Sequence, residues 1–409
     1  MATVIRSTTP DVVTLSDVSD AEGHITRICF KTGPPSRVGV ELEWTVHHPD
    51  APATLLDVPT LRAALGAHAP ATLGATGPAQ PLPAGGLVTV EPGGQVEISS
   101  SPARTLGDLH EAVTADLGHL TGHLAAAGLT LGTAGIDPHR PPRRLVDTPR
   151  YAAMERFFDA RGPDGRTMMC STAGLQVCID AGTPAQARAR WAALHEIGPA
   201  LVAAFATARC HAGRDTGWAS ARMAAWFAID PARTAPVPVD GADPAAAWAR
   251  YALAAPLLCV RRDGDDWHPP RGVTFADWIG GALPRPPTVD DLDYHLGTLF
   301  PPVRPRGYLE VRYLDAQPGA EWIAPTAVVA ALLADDTTTD RARAAAQPAA
   351  GRWRDAALAG VADPAVRQAA GDLLDLARRR LDRTGLSTAA QHLVHDIVDR
   401  RLRPQEDTT

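Results

Sequence analysis

Two glutamates stand two positions apart in a segment whose pattern is typical of a β-strand. Residues 37–47 alternate between apolar and other residues, and Glu41 and Glu43 share one parity. The other parity is apolar, comprising Val38, Val40, Leu42 and Trp44. Residues two apart on a strand project from the same face, with Cα atoms about 6.5–7 Å apart. Like charges this close raise each other's pKa unless a cation intervenes, so the pair indicates either a divalent-metal site or a solvated strand face.

Three further glutamates occur in patterns of the same kind. Glu91 and Glu97 flank a Gly-Gly pair in residues 87–99, which alternation predicts to be one strand, bent or bulged at the glycines. Glu310 precedes Arg312 by two positions in a predicted strand at residues 308–315. Oxygen ligands gathered from several strands suit Mg²⁺ or Mn²⁺ rather than zinc, and a neighbouring arginine suits a phosphate group. We therefore expect one centre for metal and phosphate.

Composition narrows the chemistry further. The 409 residues are 45 % hydrophobic and 21 % charged, with a net charge of −7 and a pI of about 6.0. These values are typical of a globular protein and argue against nucleic acid as the main partner. Lys31 is the only lysine and no Gly-Lys-Ser/Thr motif occurs, so arginine, backbone N–H groups or metal ions have to neutralise any bound phosphate. Five scattered cysteines, no signal segment and no long apolar run predict a cytoplasmic protein without membrane contact.

Periodicity predicts the elements that position these residues. Strands are predicted at residues 37–47, 87–99, 129–136, 168–180 and 308–315. Helices are predicted at residues 19–30, 105–127, 149–160, 184–208, 244–253 and 289–299, and almost continuously from residue 325. Strands first and helices last indicate an α+β architecture with a mixed or antiparallel sheet. We expect residues 1–320 to form the catalytic sheet with its covering helices, and residues 321–409 to form a helical region packed on the same core.

Seven longer motifs follow one another along residues 19–318. They are Cys29-Phe-Lys-Thr-Gly-Pro-Pro35, Gly39-Val-Glu-Leu-Glu43, Glu91-Pro-Gly-Gly-Gln-Val-Glu-Ile-Ser99, Met169-Cys-Ser-Thr-Ala-Gly-Leu-Gln-Val-Cys-Ile-Asp180, Thr216-Gly-Trp-Ala-Ser-Ala-Arg-Met223, Asp230-Pro-Ala-Arg-Thr234 and Leu299-Phe-Pro-Pro-Val-Arg-Pro-Arg-Gly-Tyr-Leu-Glu-Val-Arg312. This order resembles that of plant-type glutamate–cysteine ligases, and most closely the actinobacterial branch that feeds ergothioneine synthesis. The resemblance implies a cupped antiparallel or mixed sheet similar to the catalytic sheet of glutamine synthetase, with helices packed on its outer face.

The resemblance also implies roles for individual residues. Mg²⁺ ions, or Mn²⁺, would lie beneath the co-substrate ATP, and the metal ligands would be Glu41, Glu43, Glu91, Glu97 and Glu310. Arg312 would contact the transferring γ-phosphoryl group, and Arg222 would bind a substrate carboxylate or phosphate. Gln176 falls where the family motif faces the active site. Apart from the resemblance, Trp218 as an aromatic residue indicates either the lining of a nucleotide or substrate pocket or packing in the core. Plant relatives have Asn where this chain has Cys178; if that Asn binds metal or nucleotide there, its role is lost or taken over here.

The reaction implied by the resemblance joins the γ-carboxylate of glutamate to the amine of cysteine. ATP phosphorylates the carboxylate, and the amine then displaces phosphate from γ-glutamyl phosphate to give γ-glutamylcysteine. The expected partners are small molecules, and the expected assembly is a monomer or small homo-oligomer. Three alternatives stay open: the same fold could use another amine or carboxylate, it could phosphorylate a guanidino group, or the chain could be a degenerate ligase that only binds.

Two other features bear on function. An acyl phosphate has to be kept from water, so a lid is expected, and residues 66–86 and 211–221 are the candidates. His119 and His123 stand four apart on the predicted helix at residues 105–127. They indicate either a metal-binding pair or an ordinary pair at the helix surface, since no glutamate completes an H-E-x-x-H motif.

Overall fold

The structure, a computed structural model, describes residues 13–239 and 243–402, so the ends of the predicted divisions at residues 1 and 409 lie outside the described residues. Its strands are β1 (Val38–Trp44), β2 (Val46–His47), β3 (Leu87–Val90), β4 (Val96–Ser99), β5 (Thr130–Leu131), β6 (Gly174–Ile179), β7 (Cys210–His211), β8 (Arg214–Asp215), β9 (Val303–Pro305) and β10 (Leu309–Asp315). Its α-helices are α1 (Val18–Cys29), α2 (Val58–Leu65), α3 (Leu106–Ala126), α4 (Pro149–Asp159), α5 (Asp164–Ser171), α6 (Pro184–Ala204), α7 (Ala221–Ile229), α8 (Pro231–Thr234), α9 (Pro244–Ala254), α10 (Phe275–Ile279), α11 (Val289–Leu296), α12 (Ile323–Leu332), α13 (Asp336–Ala346), α14 (Trp353–Ala359), α15 (Pro364–Arg378) and α16 (Thr388–Leu402).

Six of the strands form one sheet in the order β3-β4-β1-β6-β10-β9, and every pair is antiparallel. In the pairing of β1 with β4, Glu43 lies opposite Glu97. In the pairing of β1 with β6, Glu41 lies opposite Gln176. The register therefore brings residues that are far apart in sequence next to one another on the sheet. The expected α+β fold with an antiparallel sheet is confirmed.

The two faces of the sheet differ in character. The apolar parity of β1 is buried, as predicted, with exposures of 8 % or less at Val38, Val40, Leu42 and Trp44. On β10 the hydroxyl of Tyr313 donates to the backbone oxygen of Leu194 at 3.2 Å, so helix α6 covers this face. Helices α13, α14 and α15 pack in turn on α6. Buried side chains of the sheet and of these later helices belong to one continuous hydrophobic core.

Residues 87–99 form a β-hairpin rather than the single bent strand that was predicted. β3 and β4 are joined by a turn in which the amide of Glu91 donates to the oxygen of Gln95 at 2.9 Å. Gly94 has φ +90°, a left-handed conformation that favours glycine. A Cβ at Gly93 would collide with the backbone carbonyl of Cys170 at the end of α5. The glycine pair therefore serves a tight turn seated against a helix, and that turn carries Glu91.

Two other predicted strands are shorter than expected. Residues 168–171 belong to helix α5, and only residues 174–179 form strand β6. Met168, Met169 and Cys170 are buried, and a short apolar run does not distinguish a buried strand from a buried helix. In residues 129–136 only Thr130–Leu131 forms a strand, β5, which pairs with β2, and Ile136 makes an isolated bridge with Thr172.

The close contact between the β3–β4 turn and helix α5 can be tested by alanine substitution. Gly93→Ala should lower the free energy of unfolding by about 1–3 kcal/mol, because the added methyl group meets backbone that cannot move away cheaply. Gly371→Ala, in helix α15 with open space at its Cβ position, is the control and should be neutral or stabilising by up to about 1 kcal/mol. Denaturant unfolding of both variants measures this difference, and equal effects would contradict the close contact.

Candidate active site

A cavity of about 630 Å³ lies on the polar face of the sheet. Four of the five predicted metal ligands line it, together with two of the predicted substrate-binding residues: Glu41, Glu43, Glu91, Glu97, Gln176 and Arg312. The fifth acid, Glu310, is fully buried beside this lining. The structure thus brings all five acids to one side of one sheet, at a cavity whose size suits a small-molecule ligand.

Hydrogen bonds orient the acidic side chains. The Glu43 carboxylate accepts from the backbone N–H of Gly174 at 2.7 Å and from the Gln176 side-chain amide at 3.1 Å. Glu97 accepts from the hydroxyl of Thr89 on the neighbouring strand at 2.7 Å, and from Ser99 at 3.0 Å. These bonds hold the carboxylates in place without supplying a positive charge.

Burial and the charges of neighbouring acids raise the pKa of Glu41, Glu91 and Glu97. Burial, followed by repulsion from Glu43, raises the pKa of Glu91 to about 7. Burial and then the charges of Glu41, Glu43 and Glu91 raise the pKa of Glu97 well above its usual value. Burial and the nearby Glu310 carboxylate raise the pKa of Glu41 as well. The cluster therefore holds more negative charge than its surroundings can stabilise at neutral pH.

Arginines occupy the opposite part of the cavity. Glu310 is within 2.6 Å of Arg304 and 2.8 Å of Arg312, and Arg306 lies 3.5 Å away. Burial opposes ionisation of Glu310, but the Arg304 and Arg312 charges outweigh it and lower its pKa to about 2. Arg312 also donates to the side-chain oxygen of Gln176. Gln176 thus joins the two halves of the site, since its amide nitrogen donates to Glu43.

The donor set fits divalent metal ions unequally. Glu41, Glu43, Glu91 and Glu97 supply hard oxygen atoms whose mutual repulsion a cation would relieve, which suits Mg²⁺ or Mn²⁺. Glu310 has ligand-type atoms within 4.8 Å of those of Glu41 and Cys178, yet it is already paired with arginines. A metal ion on Glu310 would compete with these guanidinium groups.

Two predicted site residues lie outside the cavity lining. Arg222 is 2 % exposed, and its guanidinium donates to the backbone oxygen of Arg312 at 2.8 Å and lies 3.8 Å from Asp315. It supports the strand that carries Arg312 and does not reach the cavity surface. Trp218 packs beside a small cluster away from the cavity, with the Arg354 guanidinium 5.4 Å from its ring. The geometry therefore gives Arg222 a positioning role and Trp218 a packing role.

Sequence reasoning missed several cationic and aromatic residues of the lining, including Arg150, Tyr294, Arg304 and Arg306. Arg304 and Arg306 stand in the last of the quoted motifs. Arg304 lies opposite Glu310 in the pairing of β9 with β10, and Arg306 follows it by two positions, so the alternation of the two arginines was a usable signal. Arg150, on α4, donates to the oxygen of Gly297 at 2.8 Å and packs 5.1 Å from the Tyr294 ring. That contact joins distant segments and has no signal in the sequence.

The two predicted lid segments differ in position. Pro70 and Thr72, from residues 66–86, line the cavity. None of the described residues 211–221 is part of that lining. The first segment is therefore the one whose position can affect access to the acidic cluster.

Comparison with known proteins identifies the family. The profile of glutamate-cysteine ligase family 2 matches residues 37–408, almost the whole chain. This chain belongs to glutamate-cysteine ligase family 2. Within that family it is similar to the glutamate–cysteine ligase EgtA of Mycobacterium tuberculosis, with 39 % identity covering 99 % of this chain and 93 % of the relative. The EgtA of Mycolicibacterium smegmatis is 40 % identical, covering 97 % and 92 % of the two chains. The predicted family is thus confirmed.

More distant proteins that this chain resembles are also glutamate–cysteine ligases. The chloroplastic glutamate–cysteine ligase of Arabidopsis thaliana is 31 % identical over 61 % of this chain and 49 % of that protein. Among solved structures, a glutamate–cysteine ligase from Francisella tularensis in complex with AMP has a TM-score of 0.53 and 13 % identity, covering 91 % and 82 % of the chains. At this identity the structural likeness supports the fold alone. Among the described residues of this family member, no helix combines the length and apolarity needed to cross a bilayer.

The raised pKa of Glu91 predicts how metal-free stability depends on pH. Its folded-state pKa of about 7 exceeds the ordinary 4.5, so its contribution to stability is full below pH 4.5 and is lost as pH rises through 7. Buried His195 and His295, whose pKa values fall to about 4, act in the opposite direction. Glu91→Gln removes the effect of Glu91 and leaves that of the histidines. The stability of the variant, measured relative to the unaltered protein, should therefore increase from pH 5 to pH 8.

Thermal melts of both proteins at pH 5 and pH 8, without divalent ions, measure this gain. Added Mg²⁺ should then raise the melting temperature of the unaltered protein more at pH 8 than at pH 5, because metal and protons compete for the same carboxylates. A constant difference between the two proteins across this range would show that Glu91 is not held in a repulsive cluster.

Proposed function

We propose that this chain is an ATP-dependent glutamate–cysteine ligase that joins the γ-carboxylate of glutamate to the amine of cysteine. Carboxylate oxygen attacks the γ-phosphorus of ATP, giving γ-glutamyl phosphate and ADP. The cysteine amine then attacks the acyl carbon, and inorganic phosphate leaves as the amide forms. The observation that carries the proposal is the pairing of an acidic and an arginine-lined half in one cavity of a glutamate-cysteine ligase family member.

The acidic half is suited to hold Mg²⁺ bound to the ATP phosphates. Glu41, Glu43, Glu91 and Glu97 offer oxygen ligands, and their mutual repulsion favours binding of divalent cations. Ions held by these residues would supply positive charge that stabilises a transferring phosphoryl group. The Gly174 amide and the Gln176 side chain keep Glu43 oriented before any ligand arrives.

The arginine half is suited to bind anionic oxygens. Arg312 is the central residue, because Glu310 and Gln176 fix its guanidinium while Arg222 holds its backbone. Arg312 lines the cavity, where a guanidinium group is suited to bind a phosphate or carboxylate oxygen. Arg150, Arg304 and Arg306 add positive charge along the same lining. Arg312 would contact the γ-phosphoryl group, as the family motif implies.

The product is assigned to low-molecular-weight thiol synthesis, and within it to the ergothioneine route. Support comes from the motif order of the actinobacterial branch and from near-full-length similarity to two EgtA proteins. In the alternative, the same site joins another amine or carboxylate. The two hypotheses differ only in which substrate the cavity binds beside ATP. A cytoplasmic enzyme acting on small molecules is the matching expectation.

The defining experiment incubates the protein with ATP, Mg²⁺, glutamate and cysteine and detects products by mass. A species of the mass of γ-glutamylcysteine, formed together with ADP and phosphate, is expected. The same incubation with a panel of amines in place of cysteine measures selectivity. ADP release with many amines but not with cysteine would refute the substrate assignment and favour the alternative ligase.

Removal of one carboxylate separates catalysis from folding. Glu97→Gln should lower kcat at least about 100-fold, since a ligand for the charge-stabilising ions is lost. The metal-free melting temperature should not fall, because the substitution also removes a repelling charge. Glu111→Gln, at an exposed position on α3, is the control and should leave both quantities unchanged. A large loss of stability with Glu97→Gln would instead indicate a structural carboxylate.

A further inference from the structure

A second cluster of potential metal ligands lies away from the acidic centre. It consists of His68 in the 3₁₀ turn Gly66–His68, and of His119 and His123 on helix α3. One ring nitrogen from each residue lies within 4.8 Å of the others. His119 and His123 are four positions apart and so share a helix face, and the chain fold adds a third ring from a separate segment.

We propose that His68, His119 and His123 form a transition-metal site of the Zn²⁺ class that fastens residues 66–80 to helix α3. Imidazole nitrogens prefer Zn²⁺ and related ions, whereas the carboxylates of the cavity prefer Mg²⁺. The two centres therefore select different metals. Three protein ligands leave the fourth tetrahedral position to water.

The spacing of the rings supports this assignment. The Nε2 atoms of His68 and His119 are 3.2 Å apart. Two nitrogens bound to one tetrahedral zinc at about 2.0–2.1 Å are separated by about 3.3–3.4 Å, nearly the same distance. The ring centroids of His119 and His123 are 4.6 Å apart, and those of His68 and His123 are 5.6 Å apart. Small rotations of side chains would therefore bring the three nitrogens around one ion.

The hydrogen bond on the far side of His68 sets its tautomer. Nδ1 of His68 lies 2.9 Å from the backbone oxygen of Gln80. A carbonyl oxygen can only accept, so Nδ1 carries the proton and Nε2 of the neutral ring presents a lone pair toward the cluster. Zinc-binding histidines usually donate their second N–H to such an oxygen. In the metal-free state His119 donates from Nε2 to Nε2 of His68. To bind an ion through Nε2, the neutral ring of His119 changes to the tautomer that carries its proton on Nδ1, so no net proton is released.

The site would restrain one edge of the cavity. Pro70 and Thr72, which line the cavity, follow His68 by two and four residues. The predicted lid segment 66–86, which contains residues 66–80, is already tied to α3 at its far end, where Asp116 accepts from the amides of Ala84 at 2.6 Å and Gly86 at 2.8 Å. A metal ion on the three histidines adds a second tie at the other end of the segment, close to the cavity edge.

Metal binding to the full-length protein tests the site directly. After chelator treatment, Zn²⁺ is titrated against a chromophoric chelator in the presence of excess Mg²⁺. One equivalent should bind, and His68→Asn and His119→Asn should each weaken its binding at least about 100-fold, because loss of even a supporting contact costs 10- to 100-fold. His392→Asn, an exposed histidine on α16, is the control and should bind like the unaltered protein. Absence of zinc binding, or equal affinity in all four proteins, would overturn the proposal.

Two measurements do not depend on how well the variants fold. Co²⁺ bound to the unaltered protein should show the intense visible bands of a tetrahedral ion, whereas the weak bands of an octahedral ion alone would exclude the site. Hydrogen exchange of the amides in residues 66–80 should slow when Zn²⁺ is added. Unchanged exchange would refute the fastening of this segment. Neither readout uses ligase activity, so both are independent of the proposed reaction.

Discussion

Repulsion among carboxylates is the constraint around which this structure is organised. Antiparallel pairing sets Glu43 opposite Glu97, and the β3–β4 turn adds Glu91 to the same cavity. Burial and mutual charge together raise the pKa of Glu91 and Glu97, so the metal-free fold is under electrostatic stress in this region. A protein without functional need for such a cluster would gain stability by losing it. Stress of this kind is characteristic of sites that bind cations.

The other half of the cavity balances charge in the opposite way. Arginines surround Glu310 and lower its pKa, and the Glu310 carboxylate in turn orders the guanidinium of Arg312. Gln176 connects the halves by donating to Glu43 and accepting from Arg312. Positive and negative regions are thus held side by side without neutralising one another. A metal-bound nucleoside triphosphate presents the complementary distribution of charge, cations toward one half and free phosphate oxygens toward the other.

The sequence was informative where a period or a motif carried the signal. Alternation in residues 37–47 predicted which face of β1 bears Glu41 and Glu43, and the motif order predicted the family. Residues 87–99 and 168–180 were misassigned because glycines that permit a bulge also permit a turn, and because buried strands and helices are alike in short apolar runs. The contacts of Arg222 and of the His68 ring join segments far apart in sequence, and only the fold reveals them.

The two acids of β1 occupy alternate positions on a strand that is paired on both sides, between β4 and β6. Inserting or deleting one residue there would exchange the faces of the strand and turn both carboxylates into the hydrophobic core. Substitutions on the apolar face need only preserve volume, but the segment does not tolerate the insertion or deletion of a residue. Natural variation in chain length should therefore accumulate in the loops around the sheet, and the spacing within Val38–Trp44 should stay fixed across descendants of this protein.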